Sequence, residues 1–250
     1  MNQLSGKVAL VTGAGSGIGR ANSQVMAARG ATLIVNDLHE ASAEETVGLI
    51  TAAGGRAIAC AGDVSNAAAI AEAIGRARRQ VGEIDILVNN AGVASGRMAF
   101  EDIDEATVDR MFDINVKGAM FCTRVVLGAM KERKAGKIIN TSSIMGMAAQ
   151  RRGSHYAAAK AALIGLTKAW AKEFADWNIQ VNAVAPGRVL TPMVAYMTDN
   201  DAYREDLRRN VPAKRQAKPE EIGYLVAFLA SSEADYLTGQ VISPNGGEVI

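Results

Sequence analysis

Apolar runs rich in valine, isoleucine and leucine recur along the chain and alternate with longer segments that have helical spacing. The first run, KVALVTG at 7–13, precedes a helix predicted from about Gly17 to Arg29, and the second, ATLIVND at 31–37, precedes another at 41–54. Five later runs continue the alternation, at 56–64, 84–92, 136–143, 178–187 and 239–243. Because the runs are apolar almost throughout, both faces of each strand should be buried. The pattern predicts an α/β fold with one doubly wound, mostly parallel seven-stranded sheet and helices on both faces.

Few breaks interrupt this alternation. The chain has 250 residues, only five prolines and no Ser- or Gly-rich linker, so we expect a single domain over 1–250. A long polar segment at about 188–216 is typical of a mobile lid over a substrate, although a solvated helix pair would give the same pattern.

Charge and cysteine content argue against several classes of protein. A net charge of +1 gives no field for binding nucleic acid, and no apolar run approaches a membrane span. The first strand begins at Lys7, which leaves no room for a signal peptide, so a cytoplasmic protein is predicted. Cys60 and Cys122 have neither metal nor redox-motif spacing, so they are predicted to be buried free thiols, and no metal site is expected.

The first strand ends in the glycine-rich sequence TGAGSGIG at 12–19. Gly13 can supply a tight turn, Gly17 lets the backbone approach a pyrophosphate, and Gly19 lets helix and sheet pack closely. The spacing is G-x-x-x-G-x-G, and a strand–helix turn without ligand would look the same. Asp37 ends the second strand, 18 residues after Gly19, where a carboxylate can accept the hydroxyls of an adenosine ribose. The two features together favour a dinucleotide site over a mere helix cap at Asp37.

The residues around this turn favour NAD over NADP. A 2′-phosphate would call for Arg or Lys in the turn or after the second strand, but Ser16 and Leu38 occupy those places. Arg20 lies one helical turn further and is expected to be solvated rather than directed at the ribose. Asp63 and Val64 end the third strand, where they could meet the adenine edge, and a helix-capping role for Asp63 is equally favoured.

Hydroxyl side chains and a Tyr–Lys pair indicate chemistry. INTSSIMG at 139–146 ends a strand, and SHYAAAK at 154–160 opens the next helix. Tyr156 and Lys160 are four residues apart and therefore share one helix face. A phenol ionises near pH 10, and a nearby ammonium together with an oxidised nicotinamide ring would lower its pKa enough for general base catalysis. By itself this spacing is more typical of a surface helix, but after a hydroxyl-ended strand in a dinucleotide fold it indicates an active site.

In order along the chain, TGAGSGIG, NNAG (89–92), Asn115, Ser143, YAAAK and PGRVLTP (186–192) resemble the short-chain dehydrogenase/reductase family, whose fold is of the Rossmann type. The likeness covers essentially the whole chain. It implies a catalytic tetrad of Asn115, Ser143, Tyr156 and Lys160. Tyr156 would transfer the proton, Ser143 would orient the substrate oxygen, and Lys160 would bind the nicotinamide ribose. Asn115 would hold a water molecule that connects Lys160 to solvent.

The resemblance also implies a set of cofactor contacts and an assembly. Thr141 and Ser142 are expected to be structural, as is Asn89, and family members are usually homotetramers. The implied contacts are Gly13, Ser16, Gly17, Ile18, Gly19, Asp37, Leu38, Asp63, Val64, Asn90, Ala91, Gly92, Tyr156, Lys160, Pro186, Gly187, Val189 and Thr191.

The predicted activity is NAD(H)-dependent interconversion of a secondary alcohol and a ketone. The alternative within the family is an NADPH-dependent reductase of 3-oxoacyl groups on acyl carrier protein. Of the two basic positions by which that reductase docks its carrier, Lys134 matches one, but Trp177 stands at the other. A catalytically inactive cofactor sensor of the same fold is a further alternative. His155 is expected to be a wall or surface residue, and Arg151 and Arg152 could meet an acidic substrate group, although solvated loop arginines are commoner.

Overall fold

A single parallel sheet organises the chain in a computed structural model, which describes residues 3–94, 96–194 and 200–250. The strands in these ranges are β1 (Val8–Val11), β2 (Thr32–Asp37), β3 (Arg56–Ala61), β4 (Ile86–Asn89), β5 (Gly136–Thr141), β6 (Ile179–Val184) and β7 (Val241–Ile242). The α-helices are α1 (Gly17–Ala28), α2 (Glu40–Ala52), α3 (Ala67–Val81), α4 (Glu105–Phe112), α5 (Gly118–Arg133), α6 (Ser154–Glu173), α7 (Asp201–Asn210) and α8 (Pro219–Leu229). One π-helical turn, Asp113–Lys117, joins α4 to α5.

The strand order is β3-β2-β1-β4-β5-β6-β7, and every pair of neighbours is parallel. The chain therefore runs outward from β1 to β3 and then returns to the other side of β1, as the predicted doubly wound fold requires. In such sheets the crevice above the carboxyl ends of the strands, where the order reverses, is where ligands bind. Here that crevice lies between β1 and β4.

Both faces of the sheet are buried, which confirms the prediction from the apolar runs. Ala9 and Val11 of β1 belong to a core cluster that includes Val25 of α1 and Val226 of α8. Leu10 points to the opposite side, into a second cluster built with α3, α5 and α6. Alternating side chains of one strand thus anchor two helical layers.

The strands are shorter than the sequence pattern suggested, because the glycine and polar residues at their carboxyl ends form loops. The described part of the region predicted as a lid contains a short 3₁₀ turn at Pro192–Val194 and the helix α7, and its Val189 forms a bridge with Ala217. Positions 195–199 of that region lie outside the described residues. None of the described helices is long and apolar enough to cross a membrane.

Four buried polar side chains tie the centre of the sheet to its helices. Asn89 donates to Asn140 on the neighbouring strand (2.9 Å) and to Thr123 of α5 (3.1 Å). Asn140 in turn donates to Thr167 of α6 at 2.9 Å. These bonds confirm the structural role predicted for Asn89, and they fix α5 and α6 against the strands that carry the polar ends.

Candidate active site

The carboxyl ends of β1, β4, β5 and β6 open into one cavity of about 710 Å³. Fifteen of the eighteen predicted cofactor contacts and all four predicted catalytic residues line it. The three that do not are Leu38, Asp63 and Val64. The lining also includes side chains that were not among the predicted contacts, such as Arg97, Met145, Gln150, Arg188, Tyr203 and Glu248.

The glycine turn leaves no space for side chains. Gly13 and Gly17 have positive φ angles of 59° and 52°, which glycine adopts without strain. A Cβ added at Gly13 would lie 2.8 Å from Cα of Ala91, and one at Gly19 would collide with the carbonyl of Gly13. Ser16 precedes α1 without making a side-chain cap, and the first turn has no acidic residue. The positive end of α1 therefore faces the cavity uncompensated, as a pyrophosphate site requires.

Asp37 is held in place at the end of β2. Its carboxylate accepts hydrogen bonds from the backbone amides of Gly15 (3.0 Å) and His39 (3.1 Å). Arg20 of α1 bridges the glycine turn and α2: its guanidinium donates to the carbonyl of Gly15, forms an ion pair with Glu45 at 2.7 Å and donates to Thr46 at 3.0 Å. Arg20 is thus paired rather than solvated, and its predicted direction relative to the ribose stays a prediction.

The neighbouring strand end is fastened to the glycine turn by Thr12, whose role the sequence did not indicate. Its hydroxyl accepts from the amides of Asn90 and Ala91, each at 3.0 Å. The Asn90 side chain donates back to the carbonyl of Thr12 at 2.9 Å. Asn90 therefore supports the cavity wall through its side chain.

The two serine hydroxyls that follow β5 differ in their contacts: one ties β5 to α6, and the other lies beside Tyr156. Ser142 donates to the carbonyl of Lys160 at 2.8 Å and ties β5 to α6, in agreement with the structural role expected for it. Ser143 lies beside Tyr156, and its hydroxyl accepts from the amide of Met145 at 3.1 Å. The choice of Ser143 over Ser142 as the substrate-facing hydroxyl is consistent with this division.

Tyr156 and Lys160 converge within the cavity, with the Lys160 Nζ 5.7 Å from the centre of the Tyr156 ring. Burial raises the pKa of the Tyr156 phenol above its ordinary value, and the hydrogen bond with Ser143 partly opposes this. Burial also lowers the pKa of Lys160 to about 8. The expectation was that the ammonium together with an oxidised nicotinamide ring would lower the pKa of the phenol; in the protein alone this pKa is raised. The physical reason is that both groups are desolvated, while the ammonium donates to the carbonyl of Thr141 at 2.9 Å.

Asn115 lies in the π-helical turn between α4 and α5 and is buried. Its amide donates to the carbonyls of Val93 (3.1 Å) and Met111 (3.0 Å), whereas its Oδ1 has no partner among the described residues. A Cβ added at Gly92 would lie 2.6 Å from that Oδ1 and 3.3 Å from Lys160 Nζ. Asn115 Oδ1 and Lys160 Nζ therefore face the same space above Gly92.

Two predicted contacts are engaged elsewhere. The Asp63 carboxylate accepts from the amide and hydroxyl of Ser65, at 2.8 and 2.7 Å, in the turn before α3, whereas the cap of that helix is Asn66 and not Asp63. Val64 is buried against Gly118. Leu38 is exposed on the protein surface.

The PGRVLTP loop closes the cavity opposite α1. A Cβ at Gly17 would lie 3.3 Å from the Thr191 side chain, so the glycine turn and this loop face each other closely. Arg188 in this loop forms ion pairs with Glu248 (2.9 Å), near the C-terminal end, and with Asp206 of α7 (2.7 Å). Its guanidinium also lies over the ring of Tyr203, 5.3 Å from the ring centre. Arg188 thus fastens the loop to both α7 and the chain's last residues.

His155 is buried, and burial lowers the pKa of its imidazole. It does not appear among the described residues of the cavity lining, in agreement with its exclusion from the predicted chemistry. Arg152 lines the cavity, whereas the adjacent Arg151 does not.

Comparison with known proteins identifies the family. A family model described as enoyl-(acyl carrier protein) reductase, of the short-chain dehydrogenase/reductase type, matches residues 13–248. The 3-oxoacyl-[acyl-carrier-protein] reductase FabG of Thermotoga maritima is 39% identical over 248 residues, which cover 99% of this chain and 100% of that protein. The chain therefore belongs to the short-chain dehydrogenase/reductase family and is an oxidoreductase acting on CH–OH groups.

Solved structures support the same assignment. A gluconate 5-dehydrogenase from Burkholderia cenocepacia, in complex with NADP and tartrate, superposes with a TM-score of 0.94 at 33% identity and covers 98% of this chain and 96% of its own. A 3-oxoacyl-[acyl-carrier protein] reductase from Brucella melitensis with bound NAD gives a TM-score of 0.91 at 33% identity, with coverages of 98% and 92%. The fold is thus that of family members that bind either nicotinamide cofactor.

Proposed function

We propose that this protein interconverts a secondary alcohol and a ketone with NAD(H), using Tyr156 as the general acid and base. The observation that carries the proposal is the convergence of Tyr156, Ser143 and Lys160 in the same cavity as the glycine turn. A dinucleotide fits this cavity, because the uncapped end of α1 and the Asp37 carboxylate stand where a pyrophosphate and a ribose would bind.

The chemistry assigned to each residue follows from its surroundings. The cofactor would supply the hydride acceptor or donor. Ser143 would donate a hydrogen bond to the substrate oxygen and hold it beside the phenol of Tyr156, which takes up the proton on oxidation and returns it on reduction. Lys160 would stabilise the phenolate, and the free Oδ1 of Asn115 supports a proton path from Lys160 through bound water.

The preference for NAD over NADP is also a proposal, since relatives with either cofactor share this fold. It is supported by the fixed carboxylate of Asp37, which would repel a 2′-phosphate, and by the engagement of Arg20 with Glu45. The turn at 12–19 has no lysine or arginine of its own, and Arg20, which contacts it at the carbonyl of Gly15, is already paired with Glu45.

The experiment that tests the activity replaces Tyr156 by Phe and follows NADH absorbance with a panel of secondary alcohols and ketones. We expect kcat to fall by at least about a hundredfold, because the substrate oxygen loses its proton partner, while NADH binding measured by fluorescence is retained.

Tyr224→Phe provides the matched control, because Tyr224 is an exposed tyrosine on α8 and its variant should turn over normally. Full turnover by the Tyr156→Phe variant would remove Tyr156 from the proposed role. Absence of turnover in the wild-type protein across all alcohols and ketones would contradict the proposed activity itself.

Reduction of 3-oxoacyl thioesters is a second candidate, favoured by the relative from Thermotoga maritima. Including a 3-oxoacyl thioester in the same panel, with NADH and NADPH, distinguishes the two. Turnover that is fastest with the thioester and NADPH would support this second candidate.

A further inference from the structure

Two arginines on the rim of the cavity have no acidic partner among the residues that the structure describes. Arg97 and Arg152 are exposed and come from separate loops, yet both line the cavity that contains Tyr156 and Ser143. The loops are joined where the amide of Gly153 donates to the carbonyl of Met98 at 2.9 Å. Arg97 donates to the neutral side chain of Gln150 at 3.3 Å. Neither arginine forms an ion pair within the described parts of the chain.

The charge balance of the cavity makes this rim positive. Among the described lining residues, the carboxylates are Asp37, at the ribose end, and Glu248, which is paired with Arg188. Arg188 is further compensated by Asp206. The charges of Arg97 and Arg152 therefore remain uncompensated beside the substrate half of the cavity, the part that contains Tyr156 and Ser143.

The backbone keeps Arg152 at this place. Arg152 has a φ of 68° and Gly153 a φ of 88°, so the chain makes a left-handed turn directly before α6. This conformation is uncommon for a residue other than glycine. Tyr156 follows four residues later, which keeps the Arg152 turn next to the first turn of the helix that carries the phenol.

We propose that the substrate is a hydroxy or oxo carboxylate and that Arg97 and Arg152 bind its carboxylate. This inference rests on the proposed function, since it places the reacting carbon at Tyr156 and Ser143. Those two side chains lie inside the cavity, whereas the arginines are exposed on its rim. An acid group attached directly to the reacting carbon would remain inside, so the carboxylate should be several bonds away from that carbon. Guanidinium groups suit this role because they donate paired hydrogen bonds to carboxylates.

The test uses pairs of hydroxy acids and their neutral amides with the full-length protein. The pairs are lactate, 3-hydroxybutyrate, 4-hydroxycyclohexanecarboxylate and gluconate, each with its amide, and a neutral 3-oxoacyl thioester is included. We expect kcat/KM of the wild-type protein to favour at least one of the longer acids over its amide by about tenfold or more. Arg97→Gln and Arg152→Gln should each reduce that preference by about tenfold, through KM of the acid, while turnover of the amide persists.

Arg151→Gln is the matched control, because Arg151 is adjacent and exposed but does not line the cavity. It should leave the acid-to-amide preference unchanged. Three outcomes would overturn the proposal. The protein could use acid and amide equally in every pair, it could prefer an acid in a way that neither arginine variant changes, or it could clearly prefer the neutral thioester.

A second measurement separates this inference from the proposed reaction. Binding of the same acids and amides is titrated calorimetrically into the wild-type and Arg152→Gln proteins, with and without NADH. Selective binding of an acid that Arg152→Gln abolishes would support the carboxylate site even if no alcohol is oxidised. Binding without charge selectivity would contradict the site even if alcohols are turned over.

Discussion

Lys160 combines a functional position with an unfavourable environment. Its ammonium is buried, and its pKa is lowered to about 8 from 10.5. Such a difference corresponds to about 3 kcal/mol of destabilisation at neutral pH. Below pH 8 both the folded and the unfolded protein hold this proton, so the cost is fully present there. As the pH rises from about 8 to 10.5, the folded protein loses the proton first and the cost is relieved.

We therefore predict that Lys160→Met raises the free energy of unfolding at pH 7 by about 2 kcal/mol, because relief of this cost exceeds the lost hydrogen bond to Thr141. The gain over wild type should shrink by pH 10. Urea unfolding at both pH values measures it. Lys168→Met, on the exposed face of the same helix, should change stability by less than about 0.5 kcal/mol. A less stable Lys160→Met protein at pH 7 would contradict the assignment of the burial cost.

Asp37 is the residue on which the cofactor preference depends. We predict that the wild-type protein binds NADH more tightly than NADPH, and that Asp37→Ala reduces this ratio by about tenfold or more. The variant loses a ribose acceptor for NADH and the repulsion of the 2′-phosphate for NADPH. Fluorescence titration with both cofactors measures the ratio.

Glu44→Gln, an exposed carboxylate on α2, serves as the control for the general effect of removing a negative charge. Tighter binding of NADPH by the wild-type protein would show that Asp37 does not select NAD.

At the scale of elements, the close approach of α1 to β1 shapes the cofactor crevice. Gly19 lies where any Cβ would be 2.6 Å from the Asn90 side chain and would collide with Gly13. Both partners belong to the wall of the crevice, so the helix cannot move away without displacing that wall. The spacing of the glycine turn thus fixes the distance between helix and sheet.

We predict that Gly19→Ala lowers the free energy of unfolding by about 1–3 kcal/mol, because the added methyl group overpacks the contact. Gly48→Ala in α2 is the matched substitution, since a Cβ there meets open space. It should raise stability by about 0.5–1 kcal/mol, as alanine is the better helix former. Urea unfolding of the two variants measures both effects. Equal effects would show that α1 adapts to the methyl group.

The whole molecule shows which features local sequence can reveal. The strands, their parallel order and the polar strand ends were predicted, because each follows from a run of neighbouring residues and from the topology rules for parallel sheets. The π-helical turn around Asn115 was not predicted, because such a turn adds one residue to a helix and leaves no distinct pattern in the sequence. Glu248 reaches the cavity because it pairs with Arg188, and Tyr203 because its ring packs against the same guanidinium. These are tertiary contacts, which residue spacing along the chain does not predict.

The predicted single domain and homotetramer stay predictions, as do the roles of the tetrad. The side chains that line the substrate half of the cavity come from three loops distant in sequence. The sequence does not predict how these loops come together, because that depends on tertiary contacts and not on any one motif.

The position of β1 in the sheet also bears on how the chain acquires its structure during synthesis. β1 is made before β4, yet it pairs with that strand, in a register that joins Ala9 to Ile86. One of its two hydrogen-bonding edges therefore has no partner until β2, β3 and then β4 have been translated. Parallel sheets of this kind fold slowly, because long loops must close before their contacts form. The newly made β1 is thus open to misassociation along that edge, and its pairing with β2 is the first contact that can protect it.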